Sequence, residues 1–174
     1  MDEQIIKLKS NLKKQGIRGL ALDIDDTLSD TNTYWFHQMF EFKTPDGFNR
    51  EEIIAKYRYP QDAMFPEWQT EEALELLGGL LQSNEVYEDI PIIKNSNHIS
   101  NQIHKYIPIV AYISARSNLT NDGTAKWLDK HEFPKASLVT KPNVKVLDSN
   151  VTRNSWKASV LNYLYPEVSG IIDD

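Results

Sequence analysis

Cysteine is absent from the 174-residue chain, which removes disulfides and thiolate zinc sites and agrees with a reducing compartment. No apolar run approaches the roughly 20 residues of a membrane span. The opening Met-Asp-Glu-Gln lacks the basic start and apolar centre of a signal peptide. A soluble cytoplasmic protein with no membrane partner is therefore expected. Lys and Arg are scattered and the formal net charge is −6, which argues against broad electrostatic binding to nucleic acid. Repeats and low-complexity tracts are missing too. The length fits one core domain with room for an insertion, and roughly 70% of the unfolded surface can be buried at that size.

What the chain does have is a short apolar run that ends in acid. Leu20, Ala21 and Leu22 follow Gly19 as a strand buried on both faces, predicted over about 18–24. It runs into Asp23, Asp25 and Asp26, then Thr27 and Leu28. So many carboxylates at the end of a buried strand are costly unless a cation neutralises them, and a hard, oxygen-preferring ion such as Mg²⁺ suits them. A solvated acidic turn is the plainer alternative. A calcium loop is excluded, because its Asp-x-Asp-x-Asp-Gly pattern is not completed.

The rest of the chain alternates helix and strand. Ile5, Leu8 and Leu12 at helical spacing predict a helix over 3–15, capped by Gly16. Residues 30–92 hold 11 of the 18 aromatic residues, among them Tyr34, Trp35, Phe36, Phe40, Trp68 and Tyr87. Asn49 with Glu52 predicts a helix start, and Leu74, Leu77 and Leu81 form a helical stripe interrupted by Gly78-Gly79. This stretch reads as a small, mainly helical insertion. Its aromatics form either a core or a substrate-facing wall.

A helix over 95–106 is expected to face the core with Ile99 and Ile103, leaving His98 and His104 exposed. Ile107–Ile113 predicts a second buried strand ending at Ser114-Ala115-Arg116-Ser117, followed by a helix through Thr124, Trp127 and Leu128. A third strand spans 136–140 and enters Lys141-Pro142. A helix starting near 152–155 carries Trp156, Val160 and Leu164, and a fourth strand, 168–172, ends at Asp173-Asp174. Strands alternating with helices imply a doubly wound, mainly parallel α/β sheet, whose ligands bind beyond the carboxyl ends of the strands.

Asp23-Ile24-Asp25-Asp26-Thr27-Leu28 resembles the first motif of the haloacid dehalogenase-like hydrolases, Asp-x-Asp-x-Thr-Leu, at every specified position. Strand-terminal Ser114 resembles the second motif. Ser-Ala-Arg followed by Thr-x-x-Trp-Leu is similar to the nucleotidase and polynucleotide-phosphatase branches. Asp173-Asp174 resembles the last motif. Lys157 sits where the third-motif lysine belongs, with Lys141 as its rival. The resemblance spans residues 18–174, and no family motif matches within 30–92.

It implies a Rossmann-like catalytic core, 1–29 and 93–174, with 30–92 as a helical cap. It also implies Mg²⁺ held by Asp23, the Asp25 backbone carbonyl and the Asp173/Asp174 pair. Asp23 would be the nucleophile, forming an aspartyl-phosphate, and Asp25 the general acid and then base. Ser114 and Lys157 would steady the phosphoryl group, with Thr27, Ala115 and Arg116 also in the substrate site. An acid at Asp25 favours phosphatase over dehalogenase or transport ATPase.

The expected function is a Mg²⁺-dependent phosphomonoester hydrolase acting on a small phosphorylated substrate, with nucleotides as candidates. The alternatives are a 3′-phosphatase on nucleic-acid ends and a non-catalytic protein that binds phosphate or a partner. Because the sequence stops at Asp174, where the family usually continues, the fourth strand is expected at a sheet edge. A loosely held second carboxylate and a C-terminally truncated chain are expected with it.

Overall fold

A computed structural model describes residues 2–142 and 150–174. Among them are four strands and eight helices. The helices are α1 (Glu3–Gln15), α2 (Thr31–Phe42), α3 (Arg50–Lys56), α4 (Glu71–Leu80), α5 (Asn84–Asp89), α6 (Ser96–Tyr106), α7 (Asn121–Lys130) and α8 (Asn150–Leu164). The strands β1 (Gly19–Leu22), β2 (Ile109–Ser117), β3 (Ser137–Lys141) and β4 (Val168–Ile172) form one all-parallel sheet in the order β3-β2-β1-β4. This is an α/β fold compatible with a Rossmann-like arrangement. No helix among the described residues is long and apolar enough to cross a membrane.

The sheet is apolar on both faces because helices cover both. Ala21, Ala111, Ile113 and Val139 pack with Ile5, Leu8 and Leu12 of α1 and Val160 and Leu164 of α8. Leu22, Ile24 and Tyr112 pack with Trp127 and Leu128 of α7 and with Phe133. β1 is central and short, and the chain leaves it at Asp23 while the Asp23 amide still donates to the Ile172 carbonyl at 2.9 Å. Asp23 and Asp173 are thereby fixed as neighbours at the carboxyl edge. β4 lies at the edge of the sheet.

Between β1 and β2 the chain is mainly helical, with clusters of its own. Phe36, Phe40, Phe65 and Trp68 pack together around Met39 and Ile53, so these aromatics are core. Trp35 and Tyr87 join Ile90 in a second cluster. α5 is locked to α7: the Asn84 side chain accepts from the Gly123 amide at 2.7 Å, and Trp127 Nε1 donates to the Ile90 carbonyl at 2.7 Å. Gly123 is required there, since a Cβ would overlap the Asn84 backbone.

Local expectations for α6, α4, β2, β3 and α8 are corrected. Ile99 is 55% exposed, because α6 turns Ser96 and Ser100 inward and Ser96 Oγ donates to the Leu28 carbonyl at 2.9 Å. α4 runs unbroken through Gly78-Gly79, buries Ala73 and leaves Leu74 exposed; the Thr70 cap and tertiary packing outweigh the glycine penalty. β2 begins two residues later than expected and continues through Ser117, where it pairs with Lys141 after a register shift. β3 likewise includes Lys141, and α8 starts at Asn150.

Candidate functional site

A pocket of about 430 Å³ opens where the carboxyl edge of the sheet meets the helical insertion. Its polar side is built from Asp23, Asp25, Asp26, Ala115, Arg116, Ser117, Lys157, Asp173 and Asp174. The insertion adds Asn32, Trp35, Arg58, Tyr59, Gln61, Leu77, Leu81 and Tyr87. The aromatics of the insertion thus divide: one group is core alone, whereas Tyr59 and the buried Trp35 and Tyr87 of the second cluster also border the pocket.

Asp23 is 3% exposed. Lys157 Nζ lies 2.9 Å from its Oδ2 and 3.1 Å from Asp173 Oδ1. Burial, opposed by Lys157 and reinforced by the charge of Asp25, pushes the Asp23 carboxyl up to about 8. The Lys157 ammonium is disfavoured by burial, yet the Asp23 charge and its hydrogen bond hold its pKa above the ordinary lysine value. Lys157 comes from α8, one face of which reaches over β4. Lys141 lies in β3 and is not among the pocket walls.

Oxygen atoms of Asp23, Asp173 and Asp174 lie within 4.8 Å of one another. Asp23 Oδ1 is buried without a hydrogen-bond partner. An orphaned carboxylate oxygen among three converging acids is the donor set of a hard divalent cation, so the residues present fit such an ion. Nothing in the set selects Mg²⁺ over another hard divalent ion. The Asp25 side chain is not part of this group. Asp174 also pairs with Arg58 from the insertion.

Asp25 is engaged elsewhere. Arg116 donates to Asp25 Oδ1 from Nη2 at 2.8 Å and from Nε at 2.9 Å, Thr31 Oγ1 donates to it at 2.8 Å, and Ser114 Oγ donates to Oδ2 at 3.1 Å. Burial alone would raise the Asp25 carboxyl, but the charge of Arg116 and these hydrogen bonds hold it below the ordinary range. Asp26, at φ 57°, turns away and binds the Asn32 amide at 2.9 Å, joining the loop to the start of α2. Burial raises its carboxyl above the ordinary value.

Of the residues singled out in the sequence, Asp23, Asp25, Lys157, Asp173, Asp174, Ala115 and Arg116 converge on the pocket. Ser114 is fully buried, with its hydroxyl turned onto Asp25 and accepting from the Arg116 amide at 3.1 Å. Thr27 is not a pocket wall, and its Oγ1 is buried without a partner. Arg116 is a support for Asp25, buried to 3% and hydrogen-bonded to Ser29 and Thr124 as well. Ser29, Thr31 and Arg58 had no sequence signal of their own. Arg116 did: an arginine inside a buried strand needs an acid, and Asp25 is one at the same edge. Compared with protein-family models, curated proteins and solved structures, the chain matches none.

Proposed function

We propose that this protein is a metal-dependent phosphomonoester hydrolase in which Asp23 is the nucleophile. The observation that carries the reading is Asp23 itself. One of its oxygens is held by Lys157 at 2.9 Å, the other is buried and unpartnered, and the carboxylate has an oxygen within 4.8 Å of those of Asp173 and Asp174. The resemblance of Asp23–Leu28, Ser114 and Asp173-Asp174 to the haloacid dehalogenase-like motifs supports the same reading. The helical insertion that closes the pocket would then act as a cap.

Asp23, Asp173 and Asp174 would hold the ion, which when bound offsets the charge of nucleophile and phosphoryl group together. Mg²⁺ is the proposed ion. Asp23 attacks phosphorus in line: its oxygen–phosphorus bond forms as the ester oxygen leaves with a proton, giving an aspartyl-phosphate. Water then attacks phosphorus and gives up its proton, and orthophosphate and the Asp23 carboxylate separate. Asp25, ionised against Arg116, is set to take that second proton; it is also the proposed donor to the leaving oxygen once substrate has delivered a proton to it. Lys157 stabilises the added charge and orients Asp23. A pocket of about 430 Å³ suits a small phosphate ester.

The test is steady release of phosphate from p-nitrophenyl phosphate with Mg²⁺ and with EDTA, for the wild type and Asp23→Asn. Turnover that needs the metal and vanishes in the variant supports the reading. Substantial turnover by a folded Asp23→Asn protein refutes it.

A further inference from the structure

Among the described residues, four cationic side chains line the pocket: Arg58, Arg116, Arg153 and Lys157. Carboxylates neutralise three of them: Asp174 pairs with Arg58, Asp25 with Arg116, and Asp23 and Asp173 with Lys157. Arg153 has no ion pair or hydrogen bond among the described residues, and its Nε is buried without a partner. A guanidinium kept at a pocket wall without an acceptor is a strong, unused donor.

Tyr87 is a second such donor. It is 3% exposed, with the Arg116 guanidinium 4.5 Å over its ring and the edge of Trp35 at 5.9 Å. Its hydroxyl makes no hydrogen bond among the described residues, although the residue lines the pocket. Arg153 and Tyr87 line the same pocket, so both donors face one space.

Geometry links these donors to the phosphoryl site. Arg153 and Lys157 are four residues apart on α8, so they share a face and stand about 6 Å apart along the axis. Trp35, Leu77 and Leu81 add apolar wall. We propose that Arg153 and Tyr87 form a second anion subsite, so that the substrate is a phosphomonoester whose leaving group carries a further carboxylate or phosphate. That anion lies about one helical turn from the transferred group, across a small apolar body. The proposal rests on the phosphatase reading for the word substrate, whereas the subsite itself is a binding property.

The test therefore has a binding arm and a turnover arm. Calorimetry with Mg²⁺ present compares 3-phosphonopropionate with ethylphosphonate, which lacks the second anion. Wild type should bind the first about 10- to 100-fold more tightly, the range of a charge-assisted hydrogen-bonded pair. Arg153→Leu should bring the ratio close to one, Arg153→Lys should keep part of it, and Tyr87→Phe should lower it a few-fold. Circular dichroism checks folding, and Arg153→Gln replaces the leucine variant if that one unfolds.

In the turnover arm, kcat/KM for 4-carboxyphenyl phosphate and for 1,4-phenylene bisphosphate is compared with phenyl phosphate. The better of the two identifies the second anion as carboxylate or phosphate. A binding ratio near one in the wild type, or one unchanged by Arg153→Leu, overturns the subsite whether or not phosphate is released. An intact, Arg153-dependent binding ratio with no turnover of any ester supports the subsite and overturns the phosphatase reading instead.

Discussion

Replacing Arg116 with Met tests the polar architecture of the site independently of catalysis. The guanidinium is inaccessible and bonds Asp25, Ser29 and Thr124 while lying 4.5 Å over the Tyr87 ring. Met fills most of the volume but leaves the Asp25 carboxylate without its counter-charge. Breaking one side of a fully buried pair costs about 3–5 kcal/mol, an upper range here because the Asp25 side chain is 29% exposed. For a chain of this size that is a fall of about 6–20 °C in Tm.

The loss depends on pH with a definite sign. The folded pKa of Asp25 is depressed below the ordinary 3.8, so the stability it supplies is present above that value and lost as pH falls through the folded pKa. Arg116→Met should therefore cost its full amount at pH 7 and clearly less near pH 3. Asp25→Asn alone should also destabilise, since it strands the arginine. The double variant should cost less than the two singles together by about 0.5–3 kcal/mol. Urea unfolding of the four proteins at pH 7 and at the lowest pH where all fold provides the data. A cost under about 1 kcal/mol at pH 7, or one independent of pH, would refute the buried-pair argument.

Asp23 predicts the opposite pH trend. Its pKa is raised from 3.8 to about 8, so in EDTA stability should fall as pH rises through that window, by at most about 6 kcal/mol, and Mg²⁺ should remove the fall. Melting curves across pH check this, and Asp23→Asn in EDTA should flatten the profile. Lys157→Met should lower kcat by about 100-fold or more through the lost charge stabilisation, a change read in single-turnover phosphate release. Gly123→Ala should cost about 1–3 kcal/mol by driving a methyl into the Asn84 backbone. Gly79→Ala, with no neighbouring atom within 4 Å of the added carbon, should stabilise α4 by about 0.5–1 kcal/mol. Chemical denaturation of the pair separates close packing from helix propensity.

The strands and their acidic ends were legible in the sequence because both follow from local rules. Strands buried on two faces have to be nearly all apolar, and carboxylates that follow such a run have to lie at its end; Leu20–Asp23 obeys both, while Ile171–Asp173, on the half-exposed edge strand, obeys the second. The face a helix buries was less legible. On α6 the apolar Ile99 lost to Ser96 and Ser100, because one hydrogen bond, Ser96 to the Leu28 carbonyl, fixes the rotation of the helix. Hydrophobic period alone cannot register such a bond. Lys157 could be placed ahead of Lys141 only by its distance from the Asp pair along the chain. In the fold its position follows from α8 crossing to β4.

The polar partners were the least legible, because they join residues far apart in the chain. Arg116 and Asp25 are 91 positions apart, and Asn84 and Gly123 are 39 apart. Each pair makes sense only once β2 lies beside β1 and α5 lies on α7. That second contact bears on how the insertion relates to the rest. α5 is bound to α7 by the Gly123 close approach, by Trp127 reaching the Ile90 carbonyl, and by the Glu88–Lys126 and Asp89–Lys130 ion pairs. α2 is tied to the acidic site at its start, by Thr31 to Asp25 and by the Asn32 amide to Asp26, whereas the stretch that follows α3 packs on the Trp68-centred cluster and meets the site through the exposed Arg58–Asp174 pair. Exposed ion pairs contribute about 0–1 kcal/mol, whereas a buried glycine contact and an indole hydrogen bond resist separation much more strongly. Tyr87 therefore belongs mechanically to the sheet side of the pocket, while Arg58 and Tyr59 belong to the side that is weakly tethered. The walls that contact a leaving group thus come from two units held to the site with unequal strength. A run of aromatics in the sequence gives no sign of that division.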